Sequence, residues 1–375
     1  MRTEARESDV AGIRLYTRGP VTLPWLSRYV VPVARRLYQE GHAVVRLRRG
    51  WLRGPHVEVI AYAGVGREPR WLEIAREIDA GPLAPETALT DEAYLAQARE
   101  FGRLEAVPPP YLPMAEHGSV GFLAPIAAGP RQEALRGLRA WDIVQHALTV
   151  PLLDTIDELA VHPRRGSVRL AEAFVALADS YSLGLAHGTF SFRSHAEAFL
   201  AWARPAKDVR PVFAARLAKE KDVLRPVVEQ RLAGDVSAPA AAWRTAFAYS
   251  SGTLDNTVTE GRLTLEMLDA LTDSLDRGAM GPPTAEGIVP TGKQPDTGFH
   301  RTLEQAGVLD GASQWFAAYR VLINLFYQQL PLLTVSPLQR YYTCYAIAEL
   351  VDEVLGESWQ DRLTRTLVRV PEGRP

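Results

Sequence analysis

The residues best suited to chemistry lie late in the chain, between Gly311 and Glu357. Ser336-Pro337-Leu338-Gln339 has the pattern of a capping box with proline at the first helical position, and Tyr341, Tyr342 and Tyr345 follow within three turns. Three phenols and a hydroxyl beside one helix N-terminus can donate, accept and stack without carrying formal charge. Each also has a plainer reading: Ser336 as an N-cap worth about 1 kcal/mol, Tyr342 as a core tyrosine with one satisfied hydroxyl.

The preceding segment, about Gln314 to Leu330, reads as a helix that is apolar on most sides and therefore buried. Arg320, Asn324 and Gln328 recur every fourth residue in one polar stripe, either functional or simply the wet side of the helix. Pro331 closes that helix. Earlier polar candidates are His56, after Gly54-Pro55, and Tyr111, Glu116 and His117, which follow the stiff run Pro108-Pro109-Pro110; His56 reads equally as a strand-start residue, and Glu116 and His117 as solvated loop residues.

The elements that position these groups divide into a β-rich beginning and a helical remainder. A short strand is expected at Ile13–Tyr16, then a helix from Pro24 to Gln39 kinked or split by Pro32. Two alternating runs around the turn Arg53-Gly54-Pro55 predict an antiparallel pair. Arg46 and Arg48 share one strand face, as do His56, Glu58 and Tyr62. A short helix over 71–79 and one from about Glu92 to Gly102, capped by Thr90, follow. Helices are expected over 132–147, 168–186, 194–204, 207–219 (split by prolines), 240–249 and 254–276, then a mobile Gly/Pro-rich loop at 278–298. The fold class expected is α+β: an antiparallel β-sheet core in the N-terminal third, packed with a mostly helical C-terminal portion. One domain spanning 1–375 is expected, with a β-rich part over 1–130 and a mainly helical part over 131–375.

Composition excludes several classes. Of 375 residues, 47% are hydrophobic and 23% charged, as in an ordinary globular protein. A single cysteine, Cys344, precludes an internal disulfide framework. The start of the chain lacks the order of a signal peptide, and no apolar run reaches membrane-spanning length, so a cytoplasmic protein is expected. No phosphate-binding loop, GxSxG, HExxH or Cys/His pair at ligand spacing occurs. No metal and no cofactor is therefore expected. Residues 1–70 hold 13 Arg against 6 acidic residues, while the remainder is net acidic. That arginine-rich portion either steers an acidic partner or solvates its strands and helix. No Lys/Arg block is interleaved with aromatics, which argues against nucleic acid.

Three stretches carry a resemblance. RGWLRGPHVEV (49–59), FRSHAEAFL (Phe192–Leu200) and INLFYQQLPLLTVSPLQRYYTCYAIAE (323–349) resemble, in order, segments of the C-terminal domain of lantibiotic dehydratases, the thiopeptide-type bacteriocin biosynthesis domain. Two branches of that family bear on function. One removes glutamate from glutamylated Ser or Thr; the other, the pyridine synthases, joins two dehydroalanines by a formal [4+2] aza-cycloaddition. Eliminating members carry an Arg after a YxPE-like element and a late HMxxNR helix. Here the first position falls near His117, and Asn324, Gln328 and Gln329 occupy the polar positions of the second. These departures favour the pyridine synthase branch.

The resemblance then implies a leader-bearing, azole-containing precursor peptide as partner, and other enzymes of the same biosynthetic pathway are implied in the same way, with neither nucleic acid nor membrane. It implies Ser336 and Tyr342 as catalytic, and it suits Gln328, Asn324, Tyr341, Tyr345, Tyr111, Glu116, His56 and Tyr62 as substrate-binding and Arg46, Arg48 and Arg53 as leader-binding. The rival readings are a split glutamate-elimination subunit and a non-catalytic leader-peptide-binding scaffold.

Overall fold

The computed structural model describes residues 10–42, 44–62, 69–105, 107–123, 139–204, 207–264, 266–267, 297–307 and 314–369. Two compact units divide the chain. One comprises Met1–Pro163, Asn256–Pro282 and Asn324–Val335; the other comprises Arg164–Asp255, Pro283–Ile323 and Ser336–Pro375.

The first unit is built on an antiparallel sheet of β1 (Gly12–Tyr16), β2 (Val44–Gly50), β3 (His56–Tyr62) and β4 (Val120–Leu123), ordered β2-β3-β1-β4. The expected pair is β2 with β3, in the register Leu47↔Val59 and Arg48↔Glu58. Period-two alternation puts Ile13, Leu15, Val45, Leu47, Val57, Val59 and Ala61 on one face, all buried. The other face carries Arg14, Tyr16, Arg46, Arg48, His56 and Glu58. Pro32 splits the first helical run: α1 (Leu23–Tyr29) and α2 (Val31–Gln39) meet at Val30. Then come α3 (Trp71–Glu77), α4 (Asp91–Glu105) and α5 (Arg139–Val161). Thr90 caps α4 as expected, accepting from Ala93 N–H at 3.2 Å. Helices α2 and α5 pack against β2. There Tyr38 stacks on His146 at 4.3 Å, and His146 Nδ1 accepts from Val45 N–H.

The second unit is helical: α6 (Gly166–Asp179), α7 (Leu185–Ala203), α8 (Arg210–Leu232) and most of α9 (Ala238–Thr259). It continues with α10 (Gly298–Gln305), the start of α11 (Gln314–Gln329), α12 (Pro337–Leu355) and α13 (Trp359–Arg369). Helix α12 lies against α6, α7 and α8. A Cβ on Gly188 would stand 2.0 Å from the Ala178 carbonyl oxygen, so only glycine lets α7 approach α6 this closely.

Several boundaries differ from the sequence expectation. The helix expected over 168–186 stops at Asp179, and the next begins at Leu185 rather than 194, because Gly184 takes φ 71°. Pro211 falls in the first turn of α8, where its missing N–H costs nothing, and α8 runs unbroken through Pro226. The helix expected over 254–276 is not continuous: α9 ends at Thr259 and Gly261 turns left-handed at φ 70°. Of the loop expected at 278–298, residues 278–296 lie outside the described residues, and Thr297 caps α10. Among the described residues no helix is long and apolar enough to cross a membrane.

Candidate active site

Helix α11 ends at Gln329, followed by one 3₁₀ turn, Leu330–Leu333, with Pro331 in its first positions. Thr334 adopts a left-handed φ of 57°, a conformation uncommon for a non-glycine residue. Arg49 of β2 donates to the Pro331 carbonyl at 3.0 Å and holds this turn within the first unit. Of the polar stripe, Asn324 is buried. The stripe is therefore not simply the wet side of the helix. Arg320 and Gln328 are half-buried.

Ser336 begins the second unit's share of the signature. It is exposed, and its Oγ accepts from Gln339 N–H at 3.2 Å, as the capping pattern requires. Tyr341 stacks on Phe199 at 4.4 Å, and the Arg340 guanidinium lies 4.6 Å from the Tyr341 ring centroid. Tyr342 is 2% exposed. Its hydroxyl donates to Glu220 Oε2 at 3.0 Å; Arg216 Nε holds Glu220 Oε1 at 2.9 Å, and the same guanidinium lies 3.9 Å from the Tyr342 ring centroid. Burial first, then the negative charge of Glu220, pushes the Tyr342 phenol up, so it stays protonated. Tyr345 packs on Phe213, which also meets Tyr342 edge-on at 5.5 Å. Burial, then Glu349, raises the Tyr345 phenol as well.

The helix thus brings the three tyrosines into one aromatic group with Phe199 and Phe213. Ser336 and Tyr342, six residues apart, are separated by about 9 Å along the axis. Sequence reasoning did not select Glu220 or Arg216. Their i,i+4 spacing was visible, but an Arg/Glu pair on an amphipathic helix reads as surface charge.

The remaining candidates belong to the first unit. His56 Nδ1 lies 2.8 Å from the Gly54 carbonyl and Nε2 3.6 Å from Glu58 Oε1. Its ring occupies the space a Cβ on Gly50 would need, at 2.1 Å. Glu58 also accepts from Arg14 at 2.6 Å. Burial alone would raise Glu58, but His56, Arg48 and Arg14 together hold it down at about 2.

Tyr111 donates to the Val107 carbonyl at 2.9 Å and meets Trp51 edge-on. Glu116 is exposed. His117 Nδ1 accepts from Arg18 N–H, and Nε2 donates to the Gly81 carbonyl at 2.8 Å, so both nitrogens already have partners. Arg48 is exposed, and Arg53, at φ 66°, donates to the Leu112 carbonyl. Arg46 is half-buried on the same face as Arg48. The Tyr62 backbone pairs with Val44 at the end of β3; its side chain lies outside the described residues.

Sequence comparison yields no matching family model and no matching curated protein. Solved structures do match. The pyridine synthase TbtD from thiomuracin biosynthesis aligns with TM-score 0.63 and 17% identity, over 92% of this chain and 98% of that one. TsrL aligns with TM-score 0.54 and 18% identity, over 96% of this chain and 99% of that one. Across nearly its whole length, the chain has a thiopeptide pyridine synthase-like fold.

Proposed function

We propose that this chain is a pyridine synthase acting on a leader-bearing, azole-containing peptide with two dehydroalanines. The observation that carries the reading is the whole-length likeness in fold to a pyridine synthase. The run SPLQRYY, at the start of α12, supports it. One dehydroalanine supplies the alkene; the other, with its neighbouring amide as the imidic acid tautomer, supplies the azadiene. Two carbon–carbon bonds form, and loss of water and of the leader then leaves a pyridine that closes the macrocycle. No electrons are exchanged with an outside oxidant.

Bringing two distant alkenes of a flexible peptide together is an orientation task, and orientation can contribute roughly 7–11 kcal/mol. Tyr342 works on the amide that tautomerises. Ser336, about 9 Å away along the helix, donates to a carbonyl of the alkene partner. Tyr341, half-buried and covered on its faces by Phe199 and Arg340, offers its ring edge to an azole ring. Arg46 and Arg48, together on one sheet face, receive an acidic leader.

Glutamate elimination is disfavoured by His117, whose two nitrogens are bonded within the fold. The test is incubation with the dehydrated, azole-bearing precursor, followed by mass spectrometry. The expected product has lost water and the leader. Ser336→Ala and Tyr342→Phe are each expected to abolish it while preserving the circular dichroism spectrum. Loss of glutamate from a glutamylated peptide, or binding without any mass change, would replace the reading with one of its rivals.

A further inference from the structure

The proposed role of Tyr342 leaves a question of proton traffic. Its ring is buried, its hydroxyl proton points at Glu220, and its phenol is held neutral. A neutral phenol is a poor base alone. With a carboxylate accepting its proton, the same oxygen can take a proton from elsewhere as it gives up its own. Glu220 is placed for this: Oε2 faces the phenol at 3.0 Å, while Oε1 is fixed by Arg216 at 2.9 Å. The Arg216 guanidinium also lies 3.9 Å from the ring centroid, so carboxylate and phenol are held in one orientation from both sides. The neighbouring charges are otherwise engaged: Lys221 and Arg225 with Glu353, and Glu197 with Arg210. The Glu220 side chain keeps 24% exposure, so the pair it forms with the phenol is only part-buried.

We propose that Glu220 is the proton partner of Tyr342, forming with it a two-residue relay that carries the substrate amide proton from nitrogen to oxygen; the inference rests on the catalytic reading of Tyr342. In the forward half, the amide N–H bond breaks and a new O–H bond forms on Tyr342, whose original proton moves to Glu220. The substrate becomes an imidate and Glu220 a neutral acid. In the return half, the imidate oxygen takes a proton from Tyr342, which recovers one from Glu220. The imidic acid is left, and both residues regain their starting states. Arg216 is a positioning residue that fixes the carboxylate.

The experiment measures kcat and KM on the dehydrated precursor for wild type, Glu220→Gln, Glu220→Asp, Tyr342→Phe and the double variant. Glu220→Gln retains an acceptor for the phenol but cannot take its proton. It is expected to lower kcat by about 10²-fold, the lower end for general acid–base groups, with KM unchanged. Glu220→Asp is expected to recover part of that loss. Glu220→Gln/Tyr342→Phe is expected to be no worse than Tyr342→Phe, because residues acting as a unit are not additive. If Tyr342→Phe is inactive while Glu220→Gln and Glu220→Asp both keep wild-type kcat, the relay is wrong and Glu220 only packs. If Tyr342→Phe is itself fully active, the failure lies in the catalytic reading of Tyr342, and the relay falls with it.

Discussion

Arg193 clamps α7 to α12 in the second unit, and its replacement should be among the most damaging single changes in the chain. From α7 its guanidinium reaches Glu349 Oε1 at 2.7 Å, Asp352 Oδ2 at 2.7 Å and the Ala348 carbonyl at 3.2 Å, all on α12. Asp352 also binds Arg362 of α13 at 2.6 Å and caps that helix through Trp359 N–H. Arg193 and Arg362 are 7% and 1% exposed, so water cannot replace a lost partner.

Breaking one side of a buried ion pair costs about 3–5 kcal/mol. Glu349, with its side chain 38% exposed, can turn to solvent, and Asp352 keeps Arg362. Arg193→Met should therefore fall near the low end, about 3 kcal/mol. Denaturant unfolding followed by circular dichroism gives the loss as a lower midpoint at unchanged slope. The double variant with Asp352→Asn should lose less than the sum of the single losses, with a coupling of about 0.5–3 kcal/mol. A loss below about 1 kcal/mol, or strict additivity, would refute the clamp.

Three further outcomes are expected. Glu58, ordinarily near 4.5 and held at about 2, stabilises the fold fully above its unfolded pKa, and that stability is lost as pH falls from about 4.5 towards 2. The loss is about 3 kcal/mol at 1.36 kcal/mol per unit, and Glu58→Gln should flatten the acid limb of a stability-versus-pH curve; an unchanged limb would rule Glu58 out as its source. Gln329 is 2% exposed, and neither polar atom of its carboxamide has a partner among the described residues. Gln329→Met should therefore raise thermal stability by about 1–3 kcal/mol, whereas a loss would reveal a partner bound there. Leader affinity should fall between low and high salt if Arg46 and Arg48 receive acidic residues; calorimetry showing a flat salt response would point to apolar docking.

The sequence by itself determined the sheet pair, the capped start of α12 and the aromatic cluster above it. Those features follow from local rules: alternation across Val45–Leu47 and Val57–Ala61, serine before proline, and tyrosines spaced within three turns. Three stretches, SPLQRYY within the last of them, also held enough pattern to suggest a fold that the structural comparison then bore out. Local rules failed where a single glycine decided a break, at Gly184 and Gly261, since each would also be tolerated inside a helix.

What only the tertiary structure decided is the company these residues keep. Glu220 lies 122 positions before Tyr342, and nothing in either neighbourhood announces the pairing. Asp352 gathers Arg193 and Arg362 in the same way, and His117 proved to be committed to Arg18 and Gly81. Hydrogen bonds and ion pairs between distant elements depend on which helix faces which, and helical period alone specifies only that a face exists. The identity of the opposing face is set by packing of the whole unit.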